Sequence, residues 1–112
     1  MAAYEIPNLR FSGEAGAAIA RRRFVTVNAD EQVVTANATS TVIGVSSQPN
    51  AKAGEVAEIY DGIVMVEAAA AITAGSKVGS DADGKAVVAT DAVAGVAITS
   101  AGAAGELISV KL

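Results

Sequence analysis

The sequence predicts an all-β protein: a small barrel or tulip-like β-sandwich of short strands with an extended N-terminal arm. Three observations carry this. Short β-branched runs recur with turn residues between them at spacings of about 8–12 residues, the pattern of sandwiches and barrels. Asp61-Gly62 and Asp81-Ala82-Asp83-Gly84 fall between such runs and have hairpin-turn chemistry, because Gly takes a positive φ at little cost. The last run alternates cleanly, with Ile108, Val110 and Leu112 on one face and Leu107, Ser109 and Lys111 on the other.

In chain order, residues 1–20 read as the arm and residues 21–112 as a single β domain. Pro7 and Ser12-Gly13-Glu14-Ala15-Gly16 interrupt any regular pattern in the arm. Tyr4, Ile6, Leu9 and Phe11 are spaced along it as apolar anchors. Ala15–Ala20 has the length of one helical turn, which Gly16 weakens. Strands are then predicted over Arg23–Val27, Gln32–Thr35, Thr41–Ser46, Val56–Tyr60, Ile63–Val66, Lys77–Ser80, Ala86–Thr90, Gly95–Thr99 and Glu106–Leu112. Asp61-Gly62 is expected to be a two-residue type I′ turn. The first of these strands sets Val25 and Val27 opposite Phe24 and Thr26; with the valines inward, Phe24 is left for an interface. Ala68–Ala71 is too short to hold a helix alone and predicts a short helical turn or an irregular connection.

The chain carries a weak internal echo. Ile43-Gly44-Val45 precedes Ala53-Gly54-Glu55, and Gly95-Val96 precedes Ala104-Gly105-Glu106, at an offset of 51 residues. Two copies do not make a solenoid; they predict two similar strand–loop–strand units within one β domain.

Composition bounds the chemistry. The 112 residues include 26 Ala and 15 Val but only 3 Leu, 2 Phe, 2 Tyr and no Trp. Small side chains bury little area, at roughly 25 cal/mol per Å², so a lone monomer is expected to be marginal and an oligomer is the natural remedy. With no Cys, disulfides, thiolate metal sites and a Cys nucleophile are excluded. With no His, a Ser-His-Asp triad, imidazole ligands and the usual neutral-pH general base are excluded. No enzyme, metal or cofactor is expected. No apolar run reaches the length of a membrane span, and the first residues lack the charge and hydropathy pattern of a signal peptide. Net charge is −4. The first 23 residues are basic, through Arg10, Arg21, Arg22 and Arg23 against Glu5 and Glu14, and the remainder is acidic. An acidic body repels phosphate backbones, so no nucleic-acid partner is expected. The Arg triplet reads as a solvated or interface-pairing cluster.

The remaining candidates for chemistry read as structure. Asp81, Asp83 and Gly84 resemble part of a calcium loop, but no bidentate Glu follows. Glu55 with Glu58, or Asp61 with Glu67, has the makings of a glycosidase carboxylate pair without an aromatic sugar platform. Lys77 lacks the P-loop glycines. Lys85 sits beside a hairpin tip, as carrier-domain lysines do, but between Gly84 and Ala86. Asn37-Ala38-Thr39 fits a glycosylation pattern with no secretory context.

The order of the pieces is more informative than any one of them. Arg23-Phe24-Val25-Thr26-Val27 leads through Val42-Ile43-Gly44-Val45, Ala53-Gly54-Glu55-Val56, Asp61-Gly62-Ile63-Val64 and Ala71-Ile72-Thr73-Ala74-Gly75. It continues through Asp81-Ala82-Asp83-Gly84-Lys85-Ala86 and Gly95-Val96-Ala97-Ile98 to Ala103-Ala104-Gly105-Glu106-Leu107-Ile108-Ser109-Val110. Over residues 22–112 this resembles the tailed-bacteriophage capsid cement, or head decoration, family.

The resemblance implies a structural protein on the outer surface of the virion, made in the host cytoplasm. It implies homotrimers at three-fold and quasi-three-fold positions that staple neighbouring major capsid protein subunits. No membrane partner is implied. The arm and its flank supply the expected capsid or subunit contacts: Tyr4, Ile6, Leu9, Arg10, Phe11, Arg21, Arg22, Arg23 and Phe24. Deleting residues 1–20 is expected to weaken attachment and leave the β domain folded. The alternative is a small ligand- or glycan-binding β module of a virion appendage, which needs a concave patch with exposed aromatics.

Overall fold

A computed structural model describes residues 2–47 and 50–112; Met1, the first residue of the expected arm, lies outside the described residues. Among these residues there are nine strands and no helix: β1 (Ile6–Glu14), β2 (Phe24–Val27), β3 (Val33–Thr35), β4 (Gly44–Ser46), β5 (Val56–Glu67), β6 (Lys77–Ser80), β7 (Ala86–Val88), β8 (Gly95–Ala97) and β9 (Leu107–Lys111). All pairings between strands are antiparallel, and the order is β3-β2-β4-β5-β9-β8-β6-β7 with β1 also beside β5. The sheet curls into a half-barrel, so the all-β expectation holds.

Three local expectations need correction. Asp61-Gly62 is no hairpin: β5 runs unbroken through it for 12 residues. Gly62 does have a positive φ of 111°, but it serves a bulge. The register of β1 on β5 slips between Pro7 and Leu9, and Asn8 sits where a Cβ on Gly62 would fall, 2.6 Å from its backbone nitrogen. A turn residue inside a paired strand bends and twists it without ending it. The Asp81–Gly84 turn, by contrast, is a hairpin. Asp81 Oδ1 accepts from the Asp83 and Lys85 amides at 2.8 and 2.9 Å, and Gly84 has φ 79°. Ala68–Ala71 is an irregular connection.

The second correction concerns the arm. It is extended, as expected, but Ile6–Glu14 is laid along β5 as an edge strand. Ala15 and Ile19 are buried in the core, and neither belongs to a helical turn. Cutting after residue 20 therefore removes core, so the β domain does not survive this deletion intact, contrary to what the sequence suggests. The third is Phe24. It is fully buried within the chain, and Val27 is the exposed member of β2.

The internal echo is a full structural duplication. Val25↔Thr35 and Phe24↔Val45 in the first half recur as Val78↔Val88 and Lys77↔Val96 in the second. Val45↔Tyr60 recurs as Val96↔Lys111, and Phe11↔Ile59 as Val64↔Val110. Isolated bridges repeat as well: Ala15↔Val33 with Ala68↔Ala86, and Ile19↔Ala51 with Ile72↔Ala101. The spacing is 53 residues in the first part of each unit and 50 or 51 in the last. β5 serves both: its first half is the last strand of unit one, and its second half is the first strand of unit two. The molecule is accordingly elongated, 36 × 25 × 22 Å.

Two buried clusters follow from this. Unit one encloses Ala15, Ile19, Val25, Val33, Ala57 and Ile59, with Phe11 and Ile43 half-buried at the rim. Unit two encloses the equivalents Ala68, Ile72, Val78, Ala86, Ile108 and Val110, and to these are added Phe24, Ala36 and Val45 from the opposite face of unit one. One face of unit one thus closes the interior of unit two.

Candidate interaction surface

The residues expected to make contacts separate into three groups. The exposed group lies on the N-terminal segment. Tyr4, Ile6 and Leu9 are among the exposed large apolar residues, with Val56 on the neighbouring strand. Arg10 pairs across from Tyr60 and holds its guanidinium 5.7 Å above that ring, a cation–π geometry. Tyr60 beside the guanidinium, and to a lesser extent Glu58, push the Arg10 pKa above its ordinary value. Arg10 is a permanent surface cation.

The second group is turned inward to the chain's own acids. Arg22 Nη1 lies 3.1 Å from Glu5 Oε2. Arg23 Nη2 lies 3.6 Å from Glu67 Oε1, whose other oxygen is 3.3 Å from Lys85 Nζ. The first pair ties the N-terminal segment to the residues just ahead of β2, and the Arg23–Glu67 pair ties those residues to unit two. Arg23 Nη1 is buried with no hydrogen-bond partner, so one donor of the cluster is left unsatisfied where a desolvated polar group costs free energy. Arg21 is exposed and spends its Nε on the Ser47 carbonyl at 3.2 Å.

The third group is buried. Phe24 is in the core, and Phe11 packs at the rim of the unit-one cluster. Phe11, Leu9 and Gly13 share one face of β1, opposite Arg10, Ser12 and Glu14.

Two contacts were not expected from the sequence. Ser109, fully buried, accepts from the Tyr4 amide at 2.7 Å and donates back to the Tyr4 carbonyl. Glu67 sits between Arg23 and Lys85. The shared pattern Glu14-Ala15-Gly16-Ala17-Ala18-Ile19 and Glu67-Ala68-Ala69-Ala70-Ala71-Ile72 is the signal that places both strands.

Among the described residues no group of three or more acidic side chains is arranged to hold a metal ion, and no helix is long and apolar enough to cross a membrane. What the surface offers is an exposed edge strand, apolar side chains and fixed charges. They belong to an all-β module whose two apolar clusters hold it together and whose ion pairs lie at its surface.

A family model for phage cement proteins matches residues 7–112. The chain belongs to the phage cement protein family. Comparison with curated proteins gives no match. Among solved structures, the chain is similar to the head fiber gp8.5 N base of bacteriophage phi29, at a TM-score of 0.75 and 20% identity. The likeness covers 93% of this chain and 92% of that one, and at this identity it concerns the fold. The family fits a capsid-associated structural role and a place on the virion head.

Proposed function

We propose that this protein is a capsid cement: it binds the exterior of an icosahedral phage head as a homotrimer and staples neighbouring major capsid protein subunits. The family match over nearly the whole chain carries this reading. The surface supports it. Ile6 and Arg10 project from the N-terminal edge, and we assign them, with Tyr4 and Arg21, to the capsid side. An exposed edge strand is a ready site for an added strand or a groove contact, and many weak contacts on one shell reinforce one another.

A second reading is favoured by the fold likeness to a head fiber base. In it the chain seats an appendage, which in one form is a ligand- or glycan-binding module. The copy number of the chain in purified particles, by quantitative mass spectrometry against the major shell protein, separates these. A ratio near one to one supports the cement. A few copies per particle moves the protein to an appendage, and absence from the particle refutes both. Ile6→Asp with Arg10→Glu should then reduce occupancy on heads without changing far-UV circular dichroism; full occupancy would remove this edge from the capsid contact.

A further inference from the structure

The duplication shows what each face of a unit is built to meet, because the same faces occur twice in different surroundings. Where unit one meets unit two, Phe24, Ala36 and Val45 are buried. The Phe24 amide donates to the Gly84 carbonyl at 2.7 Å, and the Glu67 amide donates to the Arg22 carbonyl at 3.0 Å. The hairpin tip at Gly84 lies against Thr35 and Arg23, and Gly84 and Ser80 are both buried.

Neither partner surface is covered in its second copy. On unit two, the equivalents of Phe24, Ala36 and Val45 are Lys77, Ala89 and Val96. Lys77 is exposed, Ala89 half-buried and Val96 40% exposed. On unit one, the equivalents of Ser80, Gly84 and Glu67 are Val27, Glu31 and Glu14. Val27 is 45% exposed, and both glutamates are exposed. The open face of unit two therefore carries a cation at the place where the open face of unit one presents acids. The hairpin backbone is preserved, with Glu31 at φ 65° where Gly84 has 79°.

We propose that a second copy of this chain docks head to tail on the first. The open face of unit two around Lys77 and Val96 would receive the hairpin and first strand of the partner copy's unit one, around Val27, Glu31 and Glu14. The contact would repeat between chains the one that joins the two units within a chain. It is a heterologous contact, so successive copies close a ring or run on as a filament. With three copies the ring holds six equivalent units, each joined to the next in one way. The proposal rests on the self-association in the function proposed above and specifies its surfaces. It is tested on the isolated protein, so its failure is separable from failure to attach to heads.

The test is sedimentation velocity with native mass spectrometry on the full chain over a range of concentrations. The wild type should form a closed oligomer. Val96→Glu and Val27→Glu, each a change at an exposed strand position, should each reduce it to monomer with unchanged circular dichroism. Mixing the two variants should give a heterodimer and nothing larger, because only one intact pair of faces remains between them. Where either variant loses its fold, Lys77→Glu and Glu14→Lys, both at exposed positions, take its place: each alone should dissociate the oligomer, and the two combined in one chain should restore it. A monomeric wild type, an oligomer indifferent to both faces, or single variants that dissociate without forming a heterodimer on mixing would overturn the proposal.

Discussion

Replacing Phe24 by Ala tests how the two units are joined. Phe24 is fully buried in the cluster that holds Val64, Val66, Ile108 and Val110, so the change deletes an aromatic ring from the seam between unit one and unit two. A core Phe→Ala replacement costs about 3–5 kcal/mol, against about 5–15 kcal/mol for the whole stability of a domain. With a urea m-value of about 2 kcal/mol per M, the unfolding midpoint should fall by about 1.5–2.5 M. The chain has no Trp, so far-UV circular dichroism is the suitable probe, at one fixed protein concentration because association shifts the midpoint. Val56→Ala, on β5 but 73% exposed, is the control and should move the midpoint by less than about 0.5 M. If Phe24→Ala unfolds within that same margin of the wild type and yet loses association or attachment, then Phe24 acts at an interface and the seam described above is wrong.

Other outcomes follow from the same structure. Removing residues 1–20 should leave an unfolded or aggregating product, because Ala15 and Ile19 go with it; a monodisperse β-rich fragment would contradict this. Removing residues 1–5 should leave the sheet intact and expose Ser109, which amide hydrogen exchange across β9 would register. Gly62→Ala should cost about 1–3 kcal/mol, the usual range for a strained backbone position, since its Cβ would fall 2.6 Å from the Asn8 nitrogen at a φ of 111°; an unchanged urea midpoint would show that the bulge relaxes. Glu67→Gln should cost no more than about 1 kcal/mol, since its partners are partly exposed and solvent screens them, and the loss should shrink at high salt.

What the sequence made legible was period and punctuation. All nine predicted strand positions beyond residue 22 lie on observed strands, because β-branched runs between turn residues suit a pleated, half-buried surface. The errors came from residues whose local chemistry has two uses. Asp61-Gly62 has the composition of a hairpin turn, but a positive φ serves a bulge equally well, and the choice was made by β1 arriving alongside. Pro7, Gly13 and Gly16 made the first segment look irregular. Its strand character is non-local: Gly13 faces Val33 so closely that a Cβ there would meet the Val33 side chain at 2.8 Å. Arg22 and Arg23 looked available for a partner because Glu5 and Glu67 are 17 and 44 residues away along the chain. The echo at 51 residues is the weaker of two signals, and the match of Glu14–Ile19 with Glu67–Ile72 is the stronger. Aligning it would have placed Arg10–Glu14 on Ile63–Glu67, and so marked the arm as a strand.

The duplication also explains how so light a core holds. Each unit is about fifty residues long, a size at which burial alone leaves a domain marginal, and alanine supplies much of its interior. Unit two gains Phe24 and Val45 from its neighbour, while unit one keeps Phe11 and Ile43 half-buried at its rim. The joining strand makes this asymmetry unavoidable. Along β5, Tyr60 lies on the face of unit one that is turned toward unit two, and Val64 and Val66, at the same alternation, point into the interior of unit two. A continuous strand cannot belong to both units without carrying the outer face of the first into the inside of the second. The two therefore form one cooperative body with an open end on each side, and Val27 at one end and Val96 at the other are left partly exposed where a further unit would have to come from another molecule.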